Sequence, residues 1–147
     1  MKISLESLKT HWPQALLLLF SFIGFLDATY LTVVHYANFR LPCAIFTGCE
    51  TVTNSVYSTM GGIPVALLGV FFYLFVFLAT IGYLLHRHRY MPYILVYVSF
   101  SAFLFSLYFI SLQIWVLKAI CFYCVMSATL STLIFLTTVY YRWHRLP

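Results

Sequence analysis

Apolar residues in this chain do not recur at the two-residue period of a strand or on one stripe of a surface helix. They run almost unbroken through four stretches, at about 13–36, 63–85, 92–116 and 119–141. Each is long enough to cross the hydrocarbon of a bilayer as an α-helix, which takes about 20 residues. Pro64 and Pro92 stand where the second and third stretches begin, and a first-turn proline sacrifices no helical hydrogen bond. The turn "HRHRYM" between those two stretches is short and cationic, so it predicts an antiparallel hairpin. One longer polar segment, about 37–62, separates the first stretch from the second. Within it "TVTNSVYSTM" sets Val52, Val56 and Met60 four apart, the spacing of one helical face. The expected architecture is an all-α membrane protein: one domain over 1–147, a four-transmembrane-helix bundle whose outer loop carries a short half-helix as a cap.

Composition agrees with the pattern. Only 7% of residues are charged and 63% are hydrophobic, against about 25% charged in a soluble domain. A globule of 147 residues cannot hide that much apolar surface from water. The net charge of +5 would suggest nucleic acid in a soluble protein. Here the cations sit at the ends of the apolar runs and act on orientation instead. Lys2, Lys9, Arg87, Arg89, Arg142 and Arg145 fall at one end, Arg40 and Lys118 at the other. The end richer in Lys and Arg faces the cytoplasm, which places both termini and the HRHR turn there and the 37–62 loop outside. No small-residue cleavage site follows the first apolar run, so a retained helix is expected rather than a signal peptide.

That orientation gathers all four cysteines at the outer face, where an oxidising compartment permits disulfide chemistry. Cys43 and Cys49 lie in the loop; Cys121 and Cys124 lie at the start of the last helix. Four cysteines allow three complete pairings. A C-x-x-C ring at Cys121–Cys124 is natural, and Gly48 gives the loop freedom to turn between Cys43 and Cys49. A helix start stabilises a thiolate through its unpaired N–H groups and dipole, and Lys118 adds charge nearby. Cys121 should be the water-facing, reactive thiol. Cys124, about 4.5 Å deeper along the helix axis, should look into the bundle. Both pairs could be staples, but a second pair on the same face favours redox work. Zinc is disfavoured because no second C-x-x-C is present, and covalent haem because Val125 stands where histidine is needed.

The order of these features, "CAIFTGCETVTNSVYSTMGGIPVALLGVFFYL" followed by "CFYCVMS", resembles the vitamin K epoxide reductase family, most closely its bacterial branch. The first-helix segment "GFLDATYLT" is similar as well, so the likeness covers about residues 24–131. It implies a four-helix bundle around a quinone and an enzyme that couples thiol oxidation to quinone chemistry. By that resemblance Cys43 and Cys49 are the shuttle pair, with Cys43 forming the mixed disulfide with a thioredoxin-like periplasmic oxidase. Cys49 would exchange with Cys121, Cys124 would meet the quinone, and Ser55 would hydrogen-bond a quinone oxygen. Many bacterial relatives carry a thioredoxin-like domain after the fourth helix. None follows within these residues, so a separate partner protein is expected, at a bacterial inner membrane. Vertebrate members have a tyrosine where this chain has Ala128, and an asparagine near "IPVALLG". The acceptor implied is therefore ubiquinone or menaquinone. The rival readings are a vitamin K or vitamin K epoxide reductase using the same cysteines, and a non-catalytic scaffold with structural disulfides.

Asp27 is the one acid inside a predicted span, roughly 13 Å inward from Tyr36 along the helix axis. A carboxyl group there is a functional candidate: either it bonds a neighbouring hydroxyl and is structural, or it helps move protons to the reduced quinone. His35 reads as interfacial, His86 and His88 as part of a solvated turn, and Trp115 as a candidate for lining the site.

Overall fold

The computed structural model describes residues 5–40, 42 and 48–145. Four helices among them are long and apolar enough to cross a membrane. They are α1 (Leu5–Ala37), α3 (Val65–His86), α4 (Met91–Leu112) and α5 (Phe122–Arg145). Between α1 and α3 lie the short α2 (Cys49–Thr53), a 3-10 turn at Val56–Ser58, and a hairpin of β1 (Thr59–Met60) with β2 (Ile63–Pro64). Gly61 and Gly62 both take positive φ at its turn, the geometry a two-residue hairpin loop requires. The chain is an all-α, multi-pass membrane bundle with one small hairpin at its mouth.

Element ends differ from the hydropathy reading for physical reasons. Helix α1 starts at Leu5, well before the expected 13, and holds Pro13 inside it. Hydropathy marks where a helix enters the apolar layer, not where its hydrogen bonding begins. Helix α5 starts later than 119, because a π-helical turn at Gln113–Leu117 and a left-handed Lys118 (φ 49°) occupy the link. Cys121 therefore precedes α5 rather than sitting inside it, and its carbonyl accepts the Val125 N–H at 3.1 Å.

Two lipid-embedded helices gain little hydrophobic free energy by meeting, so packing and interhelical hydrogen bonds decide which do. Helix α1 packs against both α3 and α5, and α4 packs against α5. Hydroxyl pairs stitch α4 to α5: Ser99 Oγ to Thr138 Oγ1 at 2.9 Å and Ser106 Oγ to Ser131 Oγ at 2.7 Å. Tyr83 Oη joins Tyr141 Oη at 3.0 Å between α3 and α5. Each such bond contributes about 0.6–2 kcal/mol. The core holds Leu17, Tyr73, Val76 and Ile134, while Leu19, Phe22, Val33, Phe71 and Leu78 are exposed, as lipid-facing side chains are. The predicted α3–α4 hairpin exists in sequence order, yet its two helices touch little. They splay, and the space between them becomes a cavity.

Candidate functional site

The loop that carries Cys49 is pressed against the α4–α5 link, and Gly48 is what permits it. A Cβ at Gly48 would lie 2.7 Å from the Ile120 nitrogen and 2.9 Å from both the Ile120 oxygen and the Ala119 Cβ. Gly48 has φ −90°, which any residue adopts. The glycine is required by close approach, not by the sharp turn expected of it. The approach seats Cys49 and Cys121 in one buried cluster with Leu31, Val34 and Val52. Cys49 is disulfide-bonded; Cys121 and Cys124 are free thiols. Cys43 lies outside the described residues.

Cys121 is not water-facing as expected. It is 0% exposed, because α2 and the π-turn close over it. Its N–H donates to Gln113 Oε1 at 3.0 Å, a role for Gln113 that spacing alone did not reveal. The thiol is nonetheless brought down to about 7, chiefly by a hydrogen bond from the Cys124 thiol and further by the Cys124 and Tyr123 N–H groups. Desolvation and the Asp27 charge oppose the shift. Trapping of Cys121 by a small methanethiosulfonate should therefore rise with pH through about 7 and level off above it, as the thiolate replaces the thiol. In Cys124→Ala the S–H donor is gone, and the midpoint should move up toward the ordinary thiol range of about 8.5. An unchanged midpoint would remove the Cys124 thiol as the cause.

Cys124 faces a cavity of about 440 Å³ bounded by α1, α3, α4, α5 and the outer segment. That volume lies in the range of small-molecule sites, roughly 300–1,000 Å³. Phe72, Phe105 and Phe109 make its wall apolar, and Ser55, Ser127, Ser131 and Gln113 offer polar atoms to it. Ser55 Oγ also donates to the Val52 carbonyl at 2.7 Å. Tyr73 Oη lies 2.8 Å from both the Ser127 carbonyl and its Oγ, at the same wall. An apolar slot with a few hydroxyls and one thiol fits a flat, lipid-soluble ring such as a quinone. His35, read as interfacial, lines the slot too.

Other residues fall elsewhere. Trp115 is 78% exposed and off the cavity wall. Val52 is buried, whereas Val56 is 87% exposed and Met60 is also exposed. The predicted common face is lost because α2 ends at Thr53 and the chain turns through 3-10 and hairpin geometry. Asp27 is 5% exposed and is absent from the cavity wall. Among the described residues neither of its carboxyl oxygens has a hydrogen-bond partner, so the hydroxyl-bonded arrangement is not found.

Against known proteins, the Vitamin K epoxide reductase family matches residues 15–139. No curated protein matches the chain.

Proposed function

We propose that this chain, which belongs to the vitamin K epoxide reductase family, is a membrane oxidase that makes disulfides at the expense of a quinone. Electrons enter from a separate thioredoxin-like protein at Cys43 and Cys49, pass to Cys121 and Cys124, and leave to ubiquinone or menaquinone. The observation that carries this reading is the placement of the two inner cysteines. Cys121 shares a buried cluster with Cys49, and Cys124 opens onto the apolar cavity.

The exchange chemistry follows from thiolate stability. The Cys49 thiolate attacks the Cys121 sulfur of a Cys121–Cys124 disulfide and releases Cys124. The Cys43 thiolate then attacks Cys49 and releases Cys121. A leaving thiol of low pKa departs faster, and Cys121 is the thiol whose pKa is depressed. Cys49 disulfide-bonded beside a free Cys121 and Cys124 is the distribution that follows this exchange. A bound quinone supplies the two-electron acceptor; Ser55, Ser127 and Tyr73 supply hydroxyls to orient it. Ala128 on the cavity wall leaves open the space a tyrosine would fill, which supports a respiratory quinone over vitamin K epoxide. The cation-rich end supports an orientation with the cysteines periplasmic in a bacterial inner membrane.

The test is direct. Purified protein in detergent, given a reduced thioredoxin-like oxidase and ubiquinone-1 or a short menaquinone, should consume quinone, and Cys43→Ala should not. Quinone left untouched by the wild type with several partners would overturn the reading.

A further inference from the structure

Three residues on the inner face of α1 stand about one helical turn apart. Gly24 has no room for a Cβ, because the Tyr73 ring of α3 occupies that space. Leu31 packs in the cluster that holds Cys49 and Cys121. Asp27 lies between them, on the face that runs from the Tyr73 ring to the cysteines. Its charge bears on Tyr73 of α3, on Cys121 in the link, and on Tyr123 and Cys124 of α5. No cation is among these neighbours. A carboxyl group buried in a membrane bundle with both oxygens unpartnered is costly and points to a function. Tyr73 and Cys124 line the cavity and Asp27 does not, so Asp27 stands behind the wall that the quinone would meet.

We infer that Asp27 is the proton acceptor of the Cys121/Cys124 dithiol, acting on the thiols rather than on the quinone. This rests on the function proposed above. Cys121 leaves the preceding exchange as a thiolate, so closing the disulfide removes two electrons and one proton, that of Cys124. The quinone takes the electrons; the quinol's second proton comes from water once it leaves the site. Cys121 is fully covered and Cys124 faces a largely apolar cavity, so the Cys124 proton needs an acceptor within the bundle. Asp27 as carboxylate takes the Cys124 proton while the thiolate forms. It then releases that proton toward the cavity, where the Tyr73 and Ser127 hydroxyls, 2.8 Å apart, form the wall. The carboxyl group ends the cycle in the state in which it began.

The experiment compares wild type, Asp27→Asn and Asp27→Glu as full chains in detergent. Two quantities are read: the pH profile of thiol trapping in the reduced protein without quinone, and kcat and KM for quinone. Positioned proton transfer contributes about 10²–10⁴-fold. Asp27→Asn should lower kcat by at least about the smaller of these factors, leave KM for quinone in place, and shift the trapping profile. Asp27→Glu should recover most of the rate. A trapping profile and kcat equal to wild type in Asp27→Asn overturn the inference, as does equal loss in both variants with raised KM, the sign of a packing role. If the asparagine variant does not fold, the trapping profile of Asp27→Glu decides: a moved midpoint supports the inference and an unmoved one overturns it. If wild type reduces no quinone, the function proposed above fails, while the trapping profile still tests Asp27.

Discussion

Cys124→Ala should stop turnover after a single equivalent of partner is oxidised. Of the cysteines among the described residues, only Cys124 lines the cavity, so its loss removes the sulfur that faces the acceptor. The outer pair can still take two electrons once, because Cys49 is disulfide-bonded independently of the inner pair. After that, Cys121 has no partner with which to form a disulfide, and electrons have nowhere to go. Removing one member of a unit that acts together costs nearly the full rate, here on the order of 10³-fold or more. Quinone absorbance and titration of partner thiols, followed together, check both halves. The expected traces are one partner oxidised per chain and a flat quinone signal. Continued quinone consumption in this variant would mean that electrons leave from another group, and the assignment of Cys124 would fall. The same variant should also move the trapping midpoint of Cys121 upward, an effect read without quinone.

How much of this was legible before the fold was known depends on which force set each feature. Span number was legible, because a bilayer demands four apolar runs and nothing else explains them. The start of α5 was not. The link at 113–118 is apolar enough to read as continuous helix, and only the Gln113 side chain, hydrogen-bonded to the Cys121 N–H, reveals that the backbone breaks there. A lone amide in an apolar run was the available signal. The cavity was hidden for a different reason. Adjacent helices joined by a short turn ordinarily pack, but lipid solvates an apolar helix face as well as a neighbouring helix does. Helix α3 could therefore lean on α1 and leave α4 to α5. Cysteine spacing marked four residues for attention, yet it misjudged the exposure of Cys121, since burial there depends on α2 folding over a link distant in sequence. Asp27 was conspicuous by type, and its setting behind the cavity wall came only from its neighbours on α3 and α5.

Gly48→Ala should slow exchange between the two cysteine pairs by about 10–100-fold, the scale on which a misplacement of about 1 Å acts. The atoms a new methyl would meet are mostly backbone: the Ile120 nitrogen at 2.7 Å and its oxygen at 2.9 Å. Backbone cannot swing aside as a flexible side chain does, so the Cys49 loop must lift from the α4–α5 link. The substitution isolates sterics, because φ −90° is ordinary for alanine. At a compatible φ, Gly→Ala should stabilise by about 0.4–1 kcal/mol through the unfolded chain. A fall in thermal stability would thus report the clash itself. Rapid mixing of reduced partner with oxidised protein, quenched with an alkylating agent, gives the exchange rate. A second arm starts from chemically reduced Cys121 and Cys124 and measures quinone reduction alone. That step should be little changed, since the clashing residues Gly48, Ala119 and Ile120 do not line the cavity; the Gly48 segment lines it only farther along, from Val52 on. Slowed exchange with intact quinone reduction places Gly48 at the hand-over between the pairs. Unaltered exchange would mean that Cys49 reaches Cys121 from a loop position in which Gly48 is not held against Ile120.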